Sequence, residues 1–194
     1  MQKNKKITDI YQLSPMQSGL LFQALYAPAS DPYFVQGIFT LEGKLDTQAL
    51  QSAWQIVSDH HPVLRSGIIW EKLEEPLQYV LESAEVPFEC YDWQAIENKQ
   101  QQHIMLEDFI QADWKKGFDL SKAPLLRLTL IKYAQDKHYL IWSHHHILID
   151  GWCGPIILGD VLKTYQNIMQ GEEMSFIKVE FSRLSKRSSA RHKI

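Results

Sequence analysis

Apolar positions recur along the chain at two spacings, one helical and one alternating. Leu20, Leu21, Phe22 and Leu25 lie at helical spacing behind Ser14-Pro15-Met16-Gln17. A serine before a proline, with glutamine three places on, is a helix start. The hydroxyl accepts a backbone N–H, proline gives up a donor the first turn does not use, and the glutamine reaches back to close a capping box. This helix is expected to stop before Pro28. A second helical run, Leu50, Ala53, Trp54 and Val57, opens behind Asp46 and reaches about His60, where Pro62 ends it. A third helix is expected over about 95–114, polar at its start. A fourth follows Pro155, with Ile156, Ile157, Val161, Leu162 and Tyr165 apolar, and stops at Gly171.

Strands are predicted at 35–42 (VQGIFTLE), 64–71 (LRSGIIWE), 76–81 (PLQYVL), 125–133 (LLRLTLIKY) and 138–144 (HYLIWSH). Gly43-Lys44 forms a turn, and Ala134-Gln135-Asp136-Lys137 joins the last two strands in a hairpin. Hairpins mixed with helices predict an α+β class. The expected form is a two-layer lobe, with helices packed on a mixed, largely antiparallel sheet, rather than a doubly wound parallel one. Residues 175–194 are basic and serine-rich and lack periodicity, so a domain over 1–174 and a disordered tail are expected.

Composition narrows the class. A chain of 194 residues holds one sizeable domain or one lobe of a larger one. At 45% hydrophobic and 22% charged residues, disorder of the whole chain is excluded. The net charge of −3 removes any electrostatic case for nucleic acid or an anionic membrane as a main partner. Cys90 and Cys153 are too few for a disulfide framework or a four-thiolate metal site. The basic opening residues lack the apolar run of a signal peptide, and no apolar stretch nears the roughly 20 residues that span a bilayer. The expectation is a soluble, cytoplasmic protein.

The chemistry concentrates in Ser143-His144-His145-His146-Ile147-Leu148-Ile149-Asp150-Gly151-Trp152, between a predicted strand and a predicted helix. Histidine is the side chain best suited to moving protons near neutral pH. An aspartate four places on can fix a loop or orient an imidazole, and Gly151 allows a tight turn. If the strand continues through the run, His144 and His146 share one face and His145 takes the other. That alternation works against three converging metal ligands. Buried structural histidines remain an equally open reading. Ser14, Ser66 and Ser143 supply hydroxyls, but none lies in a G-x-S-x-G elbow.

His145-His146-Ile147-Leu148-Ile149-Asp150-Gly151 resembles the H-H-x-x-x-D-G signature of nonribosomal peptide synthetase condensation domains, shared with chloramphenicol-acetyltransferase-like acyltransferases. Two further blocks are similar to family motifs in the same order. They are residues 13–22 (LSPMQSGLLF), and His60-His61-Pro62-Val63-Leu64-Arg65-Ser66 against R-H-E-x-L-R-T, with departures at His60, Pro62 and Ser66. The resemblance covers about 7–173. Its L-S-P-M-Q opening and D-G-W-C ending resemble the subclass joining a D-configured donor to an L-amino acid acceptor.

The resemblance implies a chloramphenicol-acetyltransferase-like fold of two lobes flanking a tunnel, of which this chain carries the amino-terminal one. It implies attack of a carrier-tethered amine on a carrier-tethered thioester, giving an amide and a free thiol. His146 becomes the catalytic candidate. Gly151 and His145 become oxyanion or substrate-positioning candidates, with His145 also read as structural. Asp150 and Arg65 are implied to support the site as an ion pair. No cofactor or metal is implied within the domain; the substrates ride on phosphopantetheine arms. The implied partners are peptidyl and aminoacyl carrier proteins, the second lobe and an adenylation domain. A non-catalytic remnant or docking fragment, and a free-standing coenzyme A-dependent acyltransferase, are the alternatives.

Overall fold

A computed structural model describes residues 6–26 and 33–172; the expected tail lies outside them. The first strand, β1 (Ile7–Gln12), leads into α1 (Pro15–Tyr26). The capping box forms as its residues dictate. Gln17 N–H donates to Ser14 Oγ at 3.2 Å, and Ser14 N–H donates to Gln17 Oε1 at 3.0 Å. β2 (Phe34–Glu42) and α2 (Thr47–His60) follow. Asp46 caps α2 by accepting the Ala49 N–H at 2.9 Å.

Residues 64 and 65 depart from expectation. They lie in a short 3-10 turn, Pro62–Arg65, and β3 begins only at Ser66, running to Ile69. Leu64 N–H bonds the carbonyl of His61, so the chain is still turning after Pro62. β4 (Leu77–Leu81) and β5 (Phe88–Asp92) precede α3 (Lys99–Lys116). That helix starts later than about 95 because Asn98 caps it, its side chain accepting from Gln100 and Gln101. β6 (Leu126–Ala134), β7 (Lys137–His145) and α4 (Cys153–Gln170) complete the order. Gly171, at φ 70°, takes the left-handed conformation that ends α4.

The strands form two sheets, β1-β4-β3 and β2-β7-β6-β5. All neighbours are antiparallel except β5 beside β6. In the larger sheet, strand alternation sends Leu126, Leu128, Leu130, Leu140 and Trp142 to one face. α2 and α4 cover that face with Leu50, Trp54, Val57, Ile157 and Val161. Trp54 meets Trp142 with ring centroids 5.2 Å apart. Ile131 and Ile141 point the other way, against Leu106, Phe109 and Ile110 of α3. Helices therefore lie on both faces of this sheet, and α+β is the class observed.

α1 differs from its expected packing. Of its apolar stripe only Leu21 is buried, while Met16, Phe22, Leu25 and Tyr26 are exposed. The helix leans on the core by one edge and leaves an apolar face uncovered.

Candidate active site

β7 ends the histidine run in three different environments. His144 lies on the face of Trp142, with ring centroids 4.7 Å apart. Its Nδ1 has no hydrogen-bond partner among the described residues. Burial, and then the neighbouring His146 and His145, push its imidazole down to about 4, so it stays neutral. His145 is the last strand residue, fully buried on the opposite face. Its Nδ1 accepts the Ile147 N–H at 3.1 Å, and its carbonyl accepts the Leu148 N–H at 3.1 Å. The ring, fully buried, shapes the turn from behind. It also borders a cleft of about 400 Å³ formed with Ala24, Leu25, Trp70 and Phe118.

His146 does not share a strand face with His144, because the strand has already ended. It opens the turn, half-buried, with its N–H on the Tyr33 carbonyl at 2.8 Å. Its Nδ1 lies 2.7 Å from the Ile149 carbonyl. A carbonyl only accepts, so Nδ1 carries a proton, and in the neutral ring the lone pair is on Nε2. That nitrogen can take a proton from an incoming nucleophile.

The Arg65–Asp150 ion pair is absent. Arg65 donates to the carbonyls of Leu81 and Asp59 instead. Asp150 is exposed, and its Oδ1 accepts the N–H groups of Trp152 and Cys153, each at 3.0 Å. It thus works at the start of α4, where a carboxylate meets unpaired N–H groups and the positive end of the helix dipole. The Cys153 thiol and N–H, then the Trp152 N–H, hold its carboxyl below the usual carboxylate range. A partner further away was unnecessary because the local amides already satisfy the carboxylate.

Gly151 also differs from its expected role in the backbone. Its φ is not in the left-handed region, and nothing lies within 4 Å of where a Cβ would stand. Glycine here leaves space open rather than making a turn possible. No hydrogen bond among the described residues engages its N–H, which is left to donate to a ligand oxygen.

Other residues bind the three motif segments together. Gln17 donates from Nε2 to the Ile147 carbonyl at 3.2 Å and to Gln78 Oε1 at 2.7 Å. Gln78 Nε2 donates to Ser66 Oγ at 3.1 Å, and Ser66 donates to the Pro62 carbonyl at 3.0 Å. His61 Nε2 lies 2.7 Å from Asp160 Oδ2 on α4. Sequence reasoning placed Gln17 only in a cap and passed over Gln78 and Asp160. These contacts span up to 130 residues, so no local pattern announces them. Behind the sheet, Asp113 accepts from Arg127 at 2.5 Å, Ser143 at 2.6 Å and Gln36 at 2.7 Å.

Among the described residues, no group of three or more His, Cys, Asp or Glu is placed to hold a metal ion. No helix among them is long and apolar enough to cross a membrane.

The profile of the family described as "Condensation domain" matches residues 7–193, past the boundary at 174 drawn from composition. A linear gramicidin synthase of Brevibacillus parabrevis is 43% identical over 168 residues, 87% of this chain and 2% of that protein. Bacitracin synthase 3 of Bacillus licheniformis is 40% identical over 166 residues, 86% of this chain and 3% of that protein. The chain thus spans only a small part of the length of either relative. Among solved structures, the starter condensation domain of rhizomide synthetase RzmA superposes with a TM-score of 0.77 at 21% identity. The match covers 90% of this chain and 43% of that one. The first condensation domain of the calcium-dependent antibiotic synthetase gives 0.78 at 15% identity, over 89% and 42%.

Proposed function

Given that the chain belongs to the condensation-domain family, we propose that it supplies the histidine-bearing lobe of an amide-forming acyltransfer site in nonribosomal peptide synthesis. The observation that carries the reading is the 2.7 Å bond from His146 Nδ1–H to the Ile149 carbonyl. It commits one ring nitrogen to the loop and leaves the other as the acceptor of the neutral ring.

The reaction needs little more than this. The amine lone pair of an aminoacyl thioester attacks the carbonyl carbon of an upstream peptidyl thioester. The carbonyl oxygen gains negative charge as the tetrahedral intermediate forms, and the Gly151 N–H would donate to it. The C–S bond breaks and the electron pair leaves with sulfur. His146 Nε2 takes the proton from the nitrogen and returns it to the thiolate, giving an amide and a free thiol. Because a thioester is already activated, holding two tethered reactants together supplies much of the rate, about 7–11 kcal/mol in well-oriented cases. His145 and Asp150 shape the loop; Arg65 braces the turn before β3.

The substrates are proposed to arrive on phosphopantetheine arms of peptidyl and aminoacyl carrier proteins, with no cofactor held by the lobe itself. An adenylation domain would load the acceptor carrier. The second lobe would close the tunnel against the uncovered side of α1. Its exposed Met16, Phe22 and Tyr26 suit such a cover, as does Trp152 beside the site. The L-S-P-M-Q and D-G-W-C segments support a D-configured donor and an L-amino acid acceptor. We place the working location in the cytoplasm.

The test loads donor and acceptor carrier proteins and follows amide product. The 194-residue chain alone is expected to give none at an intact domain's rate, because a lone lobe encloses neither arm. Joined to a second lobe it is expected to turn over, and His146→Ala is expected to abolish turnover. Undiminished turnover by that variant would overturn the reading.

A further inference from the structure

We infer that Gln17 is a positioning residue for His146, acting through the carbonyl of Ile147. The inference takes His146 as the proton-handling group, and so deepens the function proposed above.

The orientation of the Gln17 amide follows from its partners. Its Oε1 accepts the backbone N–H of Ser14, a group that only donates. Nε2 must then face the Ile147 carbonyl at 3.2 Å and Gln78 Oε1 at 2.7 Å, and both of its protons are used. The amide is satisfied on every side, and it lies where α1 meets the histidine turn.

The Ile147–Leu148 peptide is the middle of that turn. Its N–H end is fixed by the bond from Leu148 to the His145 carbonyl. Its carbonyl end is fixed by Gln17. The preceding peptide is held by Ile147 N–H on His145 Nδ1, and His146 N–H is held by Tyr33. Gln17 therefore supplies the tie from α1 to the turn. If the Ile147 carbonyl swings away, the chain downstream rotates with it. The Ile149 carbonyl, which sets the His146 tautomer, lies two residues further on. Gln78, Ser66 and the Pro62 carbonyl extend the same donor-to-acceptor direction into the second motif. This gives the glutamine a rigid backing.

Gln17→Glu separates this role from helix capping. A glutamate keeps the acceptor for Ser14 N–H and suits the positive end of α1. Gln78 can turn its amide over and donate to the new carboxylate. Ser66 then turns its one proton from the Pro62 carbonyl to Gln78 Oε1, whereas the Ile147 carbonyl cannot become a donor, so the histidine turn loses its tie to α1.

The experiment uses the 194-residue chain near pH 7.5, in wild-type form and as Gln17→Glu and Gln17→Asn, whose amide is too short to reach. Nitrogen-15 NMR reads the His146 tautomer, and hydrogen exchange reads the amides. In a folded variant, the Ile147 and Leu148 amides are expected to exchange on the order of tenfold faster, as loss of one buried hydrogen bond gives. The Ser18 amide of α1 is expected to keep its protection. The second His146 tautomer is expected to become visible. Wild-type loop exchange with a single tautomer would overturn the inference. So would failure of both variants to fold, which would make Gln17 a determinant of the fold instead. Neither readout requires amide formation. If the chain joined to a second lobe fails to catalyse while Gln17→Glu shows the tautomer change, Gln17 keeps its role and the proposed function is removed.

Discussion

His144 gives the sharpest consequence for stability. Its ring is buried against Trp142 and held to about 4, against an ordinary 6.5. An unfolded chain therefore takes up a proton below pH 6.5, whereas the folded chain refuses it until about pH 4. The neutral ring's contribution is complete above the unfolded value and is lost as pH falls through the folded one. With those two values, about 2 kcal/mol is lost by pH 5 and about 3 kcal/mol by pH 4. For a domain of ordinary stability that is a sizeable share. The perturbation is His144→Phe, which keeps an aromatic ring against Trp142 and removes the titration. Urea unfolding followed by tryptophan fluorescence, from neutral pH to about pH 5, gives the stability of both proteins. Every other titrating group is common to the two, so their difference isolates His144. The wild type is expected to fall by about 2 kcal/mol more than the variant over that range. Parallel curves would show that His144 titrates in the folded protein as it does in water, and the argument from burial would fail.

Two further outcomes follow from the contacts. Arg127→Met leaves the Asp113 carboxylate buried with Ser143 and Gln36 as its remaining side-chain donors, so unfolding is expected to become easier by about 3–5 kcal/mol. A loss below about 1 kcal/mol would mean the pair is solvated. Arg65→Met and Asp150→Asn are expected to act additively on stability in a double-mutant cycle, since neither group touches the other. Measurable coupling between them would restore the ion pair that the geometry excludes.

The elements that announced themselves in the sequence are those with a local cause. Ser14, Asp46 and Gly171 marked helix ends because capping depends on residues within one turn. The hairpin of β6 and β7 was legible because both strands face helices and carry long apolar runs. β1 and β5 were missed for the opposite reason. Each is an edge strand whose residues are almost all exposed, so no apolar alternation is required of it. Phe22 and Leu25 misled in the other direction, because apolar spacing says which residues avoid water but not what covers them. At the site, the histidine run and Asp150 stood out by type and spacing, and the resemblance to the family singled out His146. The partners of Arg65 are backbone carbonyls, and those of Asp150 are backbone N–H groups; neither leaves a trace in residue identity.

Three consecutive histidines end in three environments because one of them falls just past the strand. Alternation along β7 separates His144 from His145, sending the first onto Trp142 and the second to the opposite side. A continued strand would return His146 to the side of His144, where burial suppresses protonation. Ending the strand at His145 releases His146 into a turn. That turn is held by His145 itself, whose Nδ1 accepts from Ile147 and must therefore be unprotonated. His146 is held in the opposite tautomer, its Nδ1 donating to Ile149. Neighbouring rings thus present the same nitrogen, Nδ1, to the same short loop, one as acceptor and the other as donor. If His145 took a proton on Nδ1 it would face the Ile147 N–H donor to donor and loosen the turn that keeps His146 in place. The turn that holds His146 therefore rests on the His145 Nδ1 acceptor, which is a physical reason for burying that ring.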